Sequence, residues 1–366
     1  MTVRALIIST LSPLHIGDGG ELRYMFDFVI KDGKTYRLNE DAILQHKEDR
    51  LQPGRDGSYP LPGELLDPAD WNNMALFRYM IPGVPRSRQE DARLKTCLKD
   101  AYDCAYIPGS SIKGALRTAL AWTGWKEVNP QLDRAAIGNS RTWAGQRLER
   151  KLFGPDPNHD LLRALRVSDC RGPAKAGEKV ILVNAQVLTP HNQGSPVELE
   201  TVVSDAVFQG SLEIDDMLFK PEYEAVLHFK NRKHWLDELI ARIQAHSKAR
   251  IQKLQTWFSE VSGCEGIANF YHRLDAANLT PTQALMQIGW GSGWDGKTFW
   301  THLQQDQALF SSLVREFRMQ KPGRGGTTGT TRQFPSSRRV AMKVKDGVAK
   351  PAAPFGWVLL ELDKEK

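Results

Sequence analysis

The chain has 366 residues, of which 41% are hydrophobic and 25% charged, and its formal net charge is +6. This is the composition of a soluble globular protein, and the length exceeds one comfortable core, so two domains are expected. The mild basic excess favours a polyanionic partner without requiring one.

The four cysteines show no C-x-x-C spacing, which argues against a zinc site or a redox centre and favours reduced thiols. The first residues, MTVRALIIST, contain too short an apolar run for a signal peptide. No later run is long enough to span a bilayer. We therefore expect a cytoplasmic protein with no membrane partner.

The first half of the sequence mixes predicted strands with one strong helix. Residues 3–10 predict a buried strand that leads into a glycine-containing loop, LSPLHIGDGGE. Residues 24–31 and 34–38 flank Asp-Gly, which is typical of a type I′ hairpin turn. The remaining segments are an irregular stretch (52–70), a charged helix or arm (86–99), a helix after residue 107, strands at 165–168 and 180–188, a turn (190–196) and an alternating sheet segment (200–214).

The second half of the sequence has a more helical pattern than the first. Apolar residues at helical spacing predict a long helix over about 233–260 and a second helix over 282–288. Residues 319–350 are rich in glycine and basic side chains, which indicates either a solvated basic loop or a segment ordered by a polyanion. Residues 357–362 predict a strand. We therefore expect an α+β domain over 1–215, with an inserted arm around 45–100, and a more helical domain over 216–366.

Residues 107–117, IPGSSIKGALR, combine a Pro-Gly turn with the start of an apolar helix. Ser110 or Ser111 is expected as the N-cap, and Lys113 and Arg117 share one helix face. The free amides of a helix start favour an anion, so a phosphate is the natural ligand. An ordinary capped helix with two surface cations is equally compatible with this pattern. The glycines that would let a bulky ligand approach the backbone are Gly109 and Gly114.

Residues 291–298, GSGWDGKT, match the phosphate-loop pattern G-x-x-x-x-G-K-[ST]. Alone, the pattern predicts a nucleotide triphosphatase with Lys297 on phosphates and Thr298 on magnesium. The preceding PTQALMQIGW looks helical rather than strand-forming, and Trp294 is bulky for a loop that wraps a phosphate. We favour a glycine loop, packed by Trp290 and Trp294, that touches a nucleic-acid backbone.

His15 lies in the first glycine loop and is a candidate general acid or base for RNA cleavage. A histidine that hydrogen-bonds its own loop is the favoured interpretation. The chain shows no serine–histidine–acid order and no paired metal-ligand spacing among its nine histidines. The sequence therefore predicts no catalytic residue, no metal site and no cofactor.

Two of these motifs together resemble the RAMP superfamily of CRISPR RNA-guided effector proteins. They are LSPLHIGDGGE after an N-terminal strand and YIPGSSIKGALRTAL further along. Within that family, GWGSGWDGKT, FPSSRRV and PFGWVLLEL look like the subunit that caps the backbone filament of type III-A complexes, near the 3′ end of the guide RNA.

The resemblance implies an RNA-recognition-motif-like (ferredoxin-like) α+β fold with insertions and a helical C-terminal portion. It implies backbone contacts with guide RNA, docking onto neighbouring RAMP subunits and other effector-complex subunits, and a contribution to guide RNA 3′-end maturation. It also admits target RNA and a recruited trimming nuclease as partners. The family's catalytic aspartate motif is not recognisable around Asp18 or Asp27, so we expect a non-enzymatic subunit in a cytoplasmic ribonucleoprotein.

The expected RNA-binding residues come from the three motifs and the C-terminal FPSSRRV segment. They are His15, Gly17, Gly19, Gly109, Ser110, Ser111, Lys113, Arg117, Gly291, Gly293, Lys297, Arg338 and Arg339. The alternatives are a repeat-RNA processing endoribonuclease that uses His15, a triphosphatase that acts through Lys297, and a purely structural cap with little RNA contact.

Overall fold

The structure is a computed structural model that describes residues 2–87, 92–173, 175–189, 193–229, 232–319, 334–345 and 348–363. Within these residues the strands are β1 (Thr2–Thr10), β2 (Gly17–Arg23), β3 (Phe28–Lys31), β4 (Lys34–Leu38), β5 (Phe77–Pro82), β6 (Arg93–Cys97), β7 (Leu165–Val167), β8 (Val180–Leu188), β9 (Gln193–Val202), β10 (Val207–Ile214), β11 (Gln283–Gln287), β12 (Arg338–Lys345), β13 (Val348–Pro354) and β14 (Trp357–Leu362).

The α-helices of the same residues are linked by short 3-10 turns. They are α1 (Glu40–His46), α2 (Gly109–Val128), α3 (Arg134–Ile137), α4 (Gln146–Phe153), α5 (Pro221–Leu227), α6 (Lys233–Asp237), α7 (Leu239–Ser259), α8 (Glu265–Asp275), α9 (Trp300–Leu303) and α10 (Gln307–Glu316). The α+β class predicted from the sequence is confirmed.

Two large sheets form the centre of the molecule. Sheet A has the order β11-β14-β1-β10-β7 and is antiparallel throughout. Its central strand, β1, buries Leu6 and Ile8 completely in the core that it shares with α2. Sheet B has the order β13-β12-β8-β9-β6-β2, in which only the β6–β9 pair of these described strands is parallel.

A smaller third sheet, β3-β4-β5, packs with α1 around its own apolar cluster. The Asp-Gly hairpin predicted here is confirmed, because Asp32 and Gly33 join β3 to β4 with φ of +49° and +74°. The predicted arm around 45–100 is not one unit, since it contains β5 of this sheet and β6 of sheet B.

The boundary expected near residue 215 does not coincide with the sheets. In sheet A, β1 pairs with β14, and in sheet B, β8 pairs with β12, so both sheets contain strands from either side of residue 215. The helices α5 to α10 do give the second segment its more helical character. The division into a domain over 1–215 and a domain over 216–366 stays a prediction.

The second helix predicted over 282–288 is wrong, because these residues form β11. Ala284, Leu285 and Met286 are all buried, and Leu285 belongs to a different apolar cluster from its two neighbours. Both faces of the strand are therefore covered, which removes the polar alternation that normally marks a strand.

Three other segments differ from the prediction. The charged helix or arm over 86–99 contains β6, in which buried Leu94 and Thr96 alternate with more exposed basic residues. The first glycine loop ends earlier than expected, since β2 begins at Gly17. A turn was predicted over 190–196, but β9 begins at Gln193, and residues 190–192 lie outside the described part. The alternating segment predicted over 200–214 is divided between β9 and β10.

The C-terminal basic segment is only partly described. Residues 320–333 and 346–347 lie outside the described part, and the remainder contributes the antiparallel pair β12–β13. The predicted strand over 357–362 is confirmed as β14, and the long helix over 233–260 is confirmed as α6 followed by α7.

Aromatic and histidine rings pack where α2 contacts α7 and α9. The Trp122 ring centroid lies 5.5 Å from that of His246, and Trp125 stacks on His302 at 5.0 Å. His246 is buried, and its Nε2 has no hydrogen-bond partner among the described atoms. Burial, followed by the charge of Arg250, lowers the pKa of His246 to about 3.

This neutral buried histidine predicts a loss of stability in acid. Below pH 6.5 the unfolded chain protonates His246 while the folded chain does not, so stability falls as pH decreases from 6.5 toward 3. At about 1.4 kcal/mol per pH unit, the loss at pH 5 is about 2 kcal/mol from this residue. His246→Phe should flatten the dependence of the urea midpoint on pH between 7 and 5. His272→Phe on exposed α8 is the control, and an unchanged slope in His246→Phe would contradict the assignment.

Candidate RNA-binding surface

Helix α2 begins differently from the sequence prediction. Its N-cap is Pro108, and neither Ser110 nor Ser111 makes a side-chain capping bond. The first amide is not free either, because Gly109 N–H donates to Asp169 Oδ1 at 2.9 Å. The expected serine N-cap is therefore wrong, and a carboxylate of the chain occupies part of the site predicted for a phosphate.

Gly109 is required for packing rather than for ligand approach. A Cβ at Gly109 would lie 2.2 Å from the carbonyl oxygen of Val167, so the helix start sits directly against the end of β7. Gly114, one turn further along, has nothing within 4 Å of its would-be Cβ. Only Gly114 leaves open space at the backbone.

The two cations of α2 are engaged within the chain. Lys113 Nζ donates to the carbonyl of Leu165 at 2.7 Å, and desolvation lowers the pKa of its ammonium. Arg117 pairs with Asp160 at 2.7 Å and with Glu149 at 3.2 Å, and it also covers the ring of Phe153. Lys113 retains N–H groups for a further acceptor, whereas the charge of Arg117 is already compensated.

A buried polar network holds the first glycine loop. Glu200 on β9 is fully buried, and its carboxylate accepts from Tyr79 Oη at 2.7 Å, from the Cys97 amide at 3.0 Å and from Lys99. The carbonyl of Glu200 accepts from His15 Nδ1 at 2.7 Å. One residue thus fixes β5, β6 and the loop that precedes β2.

His15 is itself 3% exposed, and burial lowers the pKa of its imidazole. A Cβ at Gly17 would lie 2.9 Å from His15 Nε2, so the ring is enclosed by its own loop. This geometry supports the packing role and offers nothing that favours the endoribonuclease alternative. Gly17 and Gly19 are exposed at the edge strand β2, and Gly19 has φ +89° with no neighbour within 4 Å of its would-be Cβ.

The second glycine loop, 289–296, packs onto the first. Trp290 N–H donates to the His15 carbonyl at 2.8 Å, and the two rings meet edge to face at 6.1 Å. Arg339 is exposed and places its guanidinium 4.8 Å from the Trp290 ring centroid. The structure therefore brings His15, Gly291 and Arg339 into one neighbourhood.

The interior of the second loop is occupied by an ion pair. Asp295 is buried between two arginines. Its Oδ2 lies 2.8 Å from Arg338 Nη2, and its Oδ1 lies 3.6 Å from Arg250 Nη1. Arg250 also donates to the carbonyl of Ser292. Arg338 is only 6% exposed, so it fixes the loop and does not reach the surface on which RNA contact was predicted.

This loop does not have the architecture of a phosphate loop. The segment before the loop is a strand, β11, so the prediction that a helix precedes it, which was used against a phosphate loop, is wrong. However, the loop itself contains a 3-10 turn, Trp294–Gly296, and the helix that follows is the four-residue α9. Thr298 Oγ1 donates to the Trp294 carbonyl. A nucleotide-binding loop needs the free amides of a following helix, so the triphosphatase alternative gains no support.

Lys297 and Arg117, which are distant in the sequence, line one cavity. It has a volume of about 520 Å³ and lies between α2, α4 and α10, and Trp294 and Phe310 also line it. The side chain of Lys297 is exposed. The predicted site residues thus fall into three groups: the start of α2, the two packed glycine loops with Arg339, and the mouth of this cavity.

Sequence reasoning missed the acidic residues that organise these groups. Asp169, Glu200 and Asp295 each bind a group that was predicted to contact RNA. Asp295 was visible in the motif GSGWDGKT, and Asp169 directly follows the strand predicted over 165–168. Glu200 lies in an alternating strand, where an inward-facing acid between apolar neighbours was the available signal.

The RAMP superfamily model matches residues 7–293 of the chain. The chain is a member of the RAMP superfamily. It is also 22% identical to the CRISPR system Cms protein Csm5 of Methanocaldococcus jannaschii, over 96% of this chain and 87% of that protein.

Two solved structures share the RAMP fold over nearly the whole chain. One is a chain of the cryo-EM structure of a type III-A Csm–crRNA–target RNA ternary complex, with a TM-score of 0.72, 23% identity and coverage of 99% of this chain and 100% of that one. The other is the crystal structure of T. onnurineus Csm5, with a TM-score of 0.62, 21% identity and coverage of 96% and 99%. The RAMP fold expected from the two motifs is confirmed.

Two further features concern the described residues only. No helix among them is both long and apolar enough to cross a lipid bilayer. No group of three or more histidine, cysteine, aspartate or glutamate side chains among them is placed to hold a metal ion.

The glycines of α2 give the first test of this geometry. Gly109→Ala should destabilise the protein by about 1–3 kcal/mol, because its Cβ collides with the β7 backbone. Gly114→Ala is the matched control on the same helix and should stabilise by about 0.5–1 kcal/mol. Thermal unfolding of both variants measures the difference; two changes of the same sign would contradict the packing role of Gly109.

Glu200 gives the second test. Glu200→Gln leaves the buried Lys99 ammonium without its counter-charge, so unfolding in urea should become easier by about 3 kcal/mol or more. Glu198→Gln, two residues earlier on the same strand and half-buried, should change stability by less than about 0.5 kcal/mol. Equal effects at the two positions would show that the network does not organise the sheet.

Proposed function

We propose that the chain is a non-catalytic guide-RNA-binding subunit of a type III-A CRISPR effector complex, where it caps the backbone filament. The observation that carries this proposal is the similarity to Csm5 along nearly the full length, together with the fold shared with a chain of a Csm–crRNA–target RNA complex. Guide RNA, neighbouring RAMP subunits and target RNA are its proposed partners. A contribution to guide RNA 3′-end maturation, with a recruited trimming nuclease, belongs to the same proposal.

The RNA contacts are assigned to the predicted residues that the fold leaves accessible. They are Gly17, Gly19, Ser110, Lys297 and Arg339, which are exposed, and Ser111, Lys113, Gly291 and Gly293, which are half-buried. His15, Gly109 and Arg338 support this surface from below, and Arg117 is held by two carboxylates.

Glycine amides and single cations of this kind bind the phosphate backbone and read no base. That suits a subunit that must accept any guide sequence, because base pairing supplies the specificity. Such binding depends on counterion release, so it weakens steeply with salt. No observation favours a second function.

Co-expression with the other subunits of such a complex tests the proposal. The chain should co-purify in a ribonucleoprotein that holds a short RNA, and its omission should change the 3′ ends of that RNA. Arg339→Glu should reduce RNA retention and lower the salt dependence of log K by about 0.7 per lost phosphate contact. Lys248→Glu, which makes the same charge change at an exposed position of α7, is the control.

Purification of the chain free of RNA and of other subunits would refute the proposal. Equal retention in Arg339→Glu and Lys248→Glu would refute the assigned surface while leaving the subunit assignment intact.

A further inference from the structure

The cavity between α2, α4 and α10 has the size and lining of a ligand site. Its volume is about 520 Å³, within the roughly 300–1,000 Å³ typical of small-molecule sites. Ala121 of α2, Leu148 and Phe153 of α4, and Phe310 and Leu313 of α10 line it.

One wall of the cavity is aromatic. Trp294 packs against Phe310 with a centroid distance of 5.6 Å and against Phe334 at 5.2 Å. All three side chains line the cavity. Flat π-systems of this kind stack nucleobases, and each stacked base contributes about 1–3 kcal/mol.

The cavity also carries excess positive charge. Arg117, Arg141 and Lys297 line it, against the single acid Glu149. Arg117 is already compensated by Glu149 and Asp160, whereas no described side chain forms an ion pair with Arg141 or Lys297. The occupant is therefore expected to be apolar at one end and anionic at the other.

Two threonine hydroxyl groups, those of Thr118 and Thr298, also line the cavity. Thr118 Oγ1 donates to the carbonyl of Gly114 and Thr298 Oγ1 donates to that of Trp294, so both hydroxyl oxygens keep lone pairs for a ligand N–H or O–H. Exocyclic amines of bases and ribose hydroxyls are such donors.

An exposed tryptophan belongs to the same segment as the cavity wall. Trp143 is 63% exposed, and its neighbours Arg141, Ala144 and Gly145 all line the cavity. An exposed indole beside an uncompensated arginine is the arrangement on which a further base of a single strand stacks.

We propose that this cavity binds one unstacked nucleotide of a single-stranded RNA. The base stacks on the aromatic wall formed by Trp294 and Phe310, and its phosphate lies near Lys297 and Arg141. Trp143 stacks on the adjacent base outside. This inference rests on the proposed RNA-binding function and adds to it a site for one nucleotide.

The test is photocrosslinking of the full chain to a single-stranded oligoribonucleotide that carries 4-thiouridine, followed by mass spectrometry and by affinity measurements on variants. Crosslinks are expected within 141–148 and 294–313. Leu313→Trp, which fills the cavity, should weaken binding about 10-fold or more. Lys297→Glu should weaken it through the phosphate without touching the apolar wall, and Lys248→Glu is the charge-matched control.

The outcomes separate this inference from the proposed function. Binding that persists with crosslinks only outside these two segments, or that is unchanged in Lys297→Glu, would overturn the nucleotide site alone. Absence of any RNA binding, in the isolated chain and in the assembled complex, would overturn both. Crosslinks from these segments to a neighbouring subunit rather than to RNA would identify a protein-docking cavity and would also overturn the inference.

Discussion

The placement of both glycine loops depends on one buried residue, Glu200, whose carboxylate and backbone carbonyl both accept hydrogen bonds. A charge that is fully removed from water is tolerated only when other groups compensate it, and here Lys99, Tyr79 and the Cys97 amide do so. The Cys97 amide belongs to β6, which pairs with β9, and Tyr79 belongs to β5 of the third sheet. The carboxylate therefore fixes β6 beside β9 and ties the third sheet to sheet B. The same pair adds little net stability, since desolvation offsets its Coulomb attraction. Its contribution is specificity of arrangement.

The carbonyl of Glu200 extends this constraint to the surface. It holds His15, whose own carbonyl holds Trp290, over which Arg339 lies. Two hydrogen bonds and one cation–π contact therefore connect the middle of sheet B to an exposed cation. Rigid support of this kind reduces the conformational entropy that an RNA phosphate would otherwise have to remove from the loops.

The sequence allowed reliable prediction where one physical cause dominated. The Asp-Gly hairpin depends on positive φ at two residues, and α7 depends on a long apolar stripe, so both were predictable. Strand β11 was not, because it is buried on both faces and its continuous apolar run is compatible with a helix. Strand β6 was missed because its exposed positions are basic, which suggested a charged arm. The cavity could not be predicted at all, since its walls come from segments that are distant along the chain.

The motifs showed which places are suited to anions but not which anion is present. At the start of α2, Asp169 accepts from the Gly109 amide, and in GSGWDGKT the carboxylate of Asp295 lies between Arg250 and Arg338. In each case the chain supplies its own anion, because a helix start or an arginine pair that is buried during folding needs a counter-charge before any ligand arrives. A phosphate would have to displace that carboxylate and leave it buried without a partner, which is unfavourable. Under the proposed function, the positive charge available to RNA is therefore the charge that forms no ion pair with a described carboxylate, on Lys297, Arg141 and Arg339, rather than the charge at the centres of the motifs.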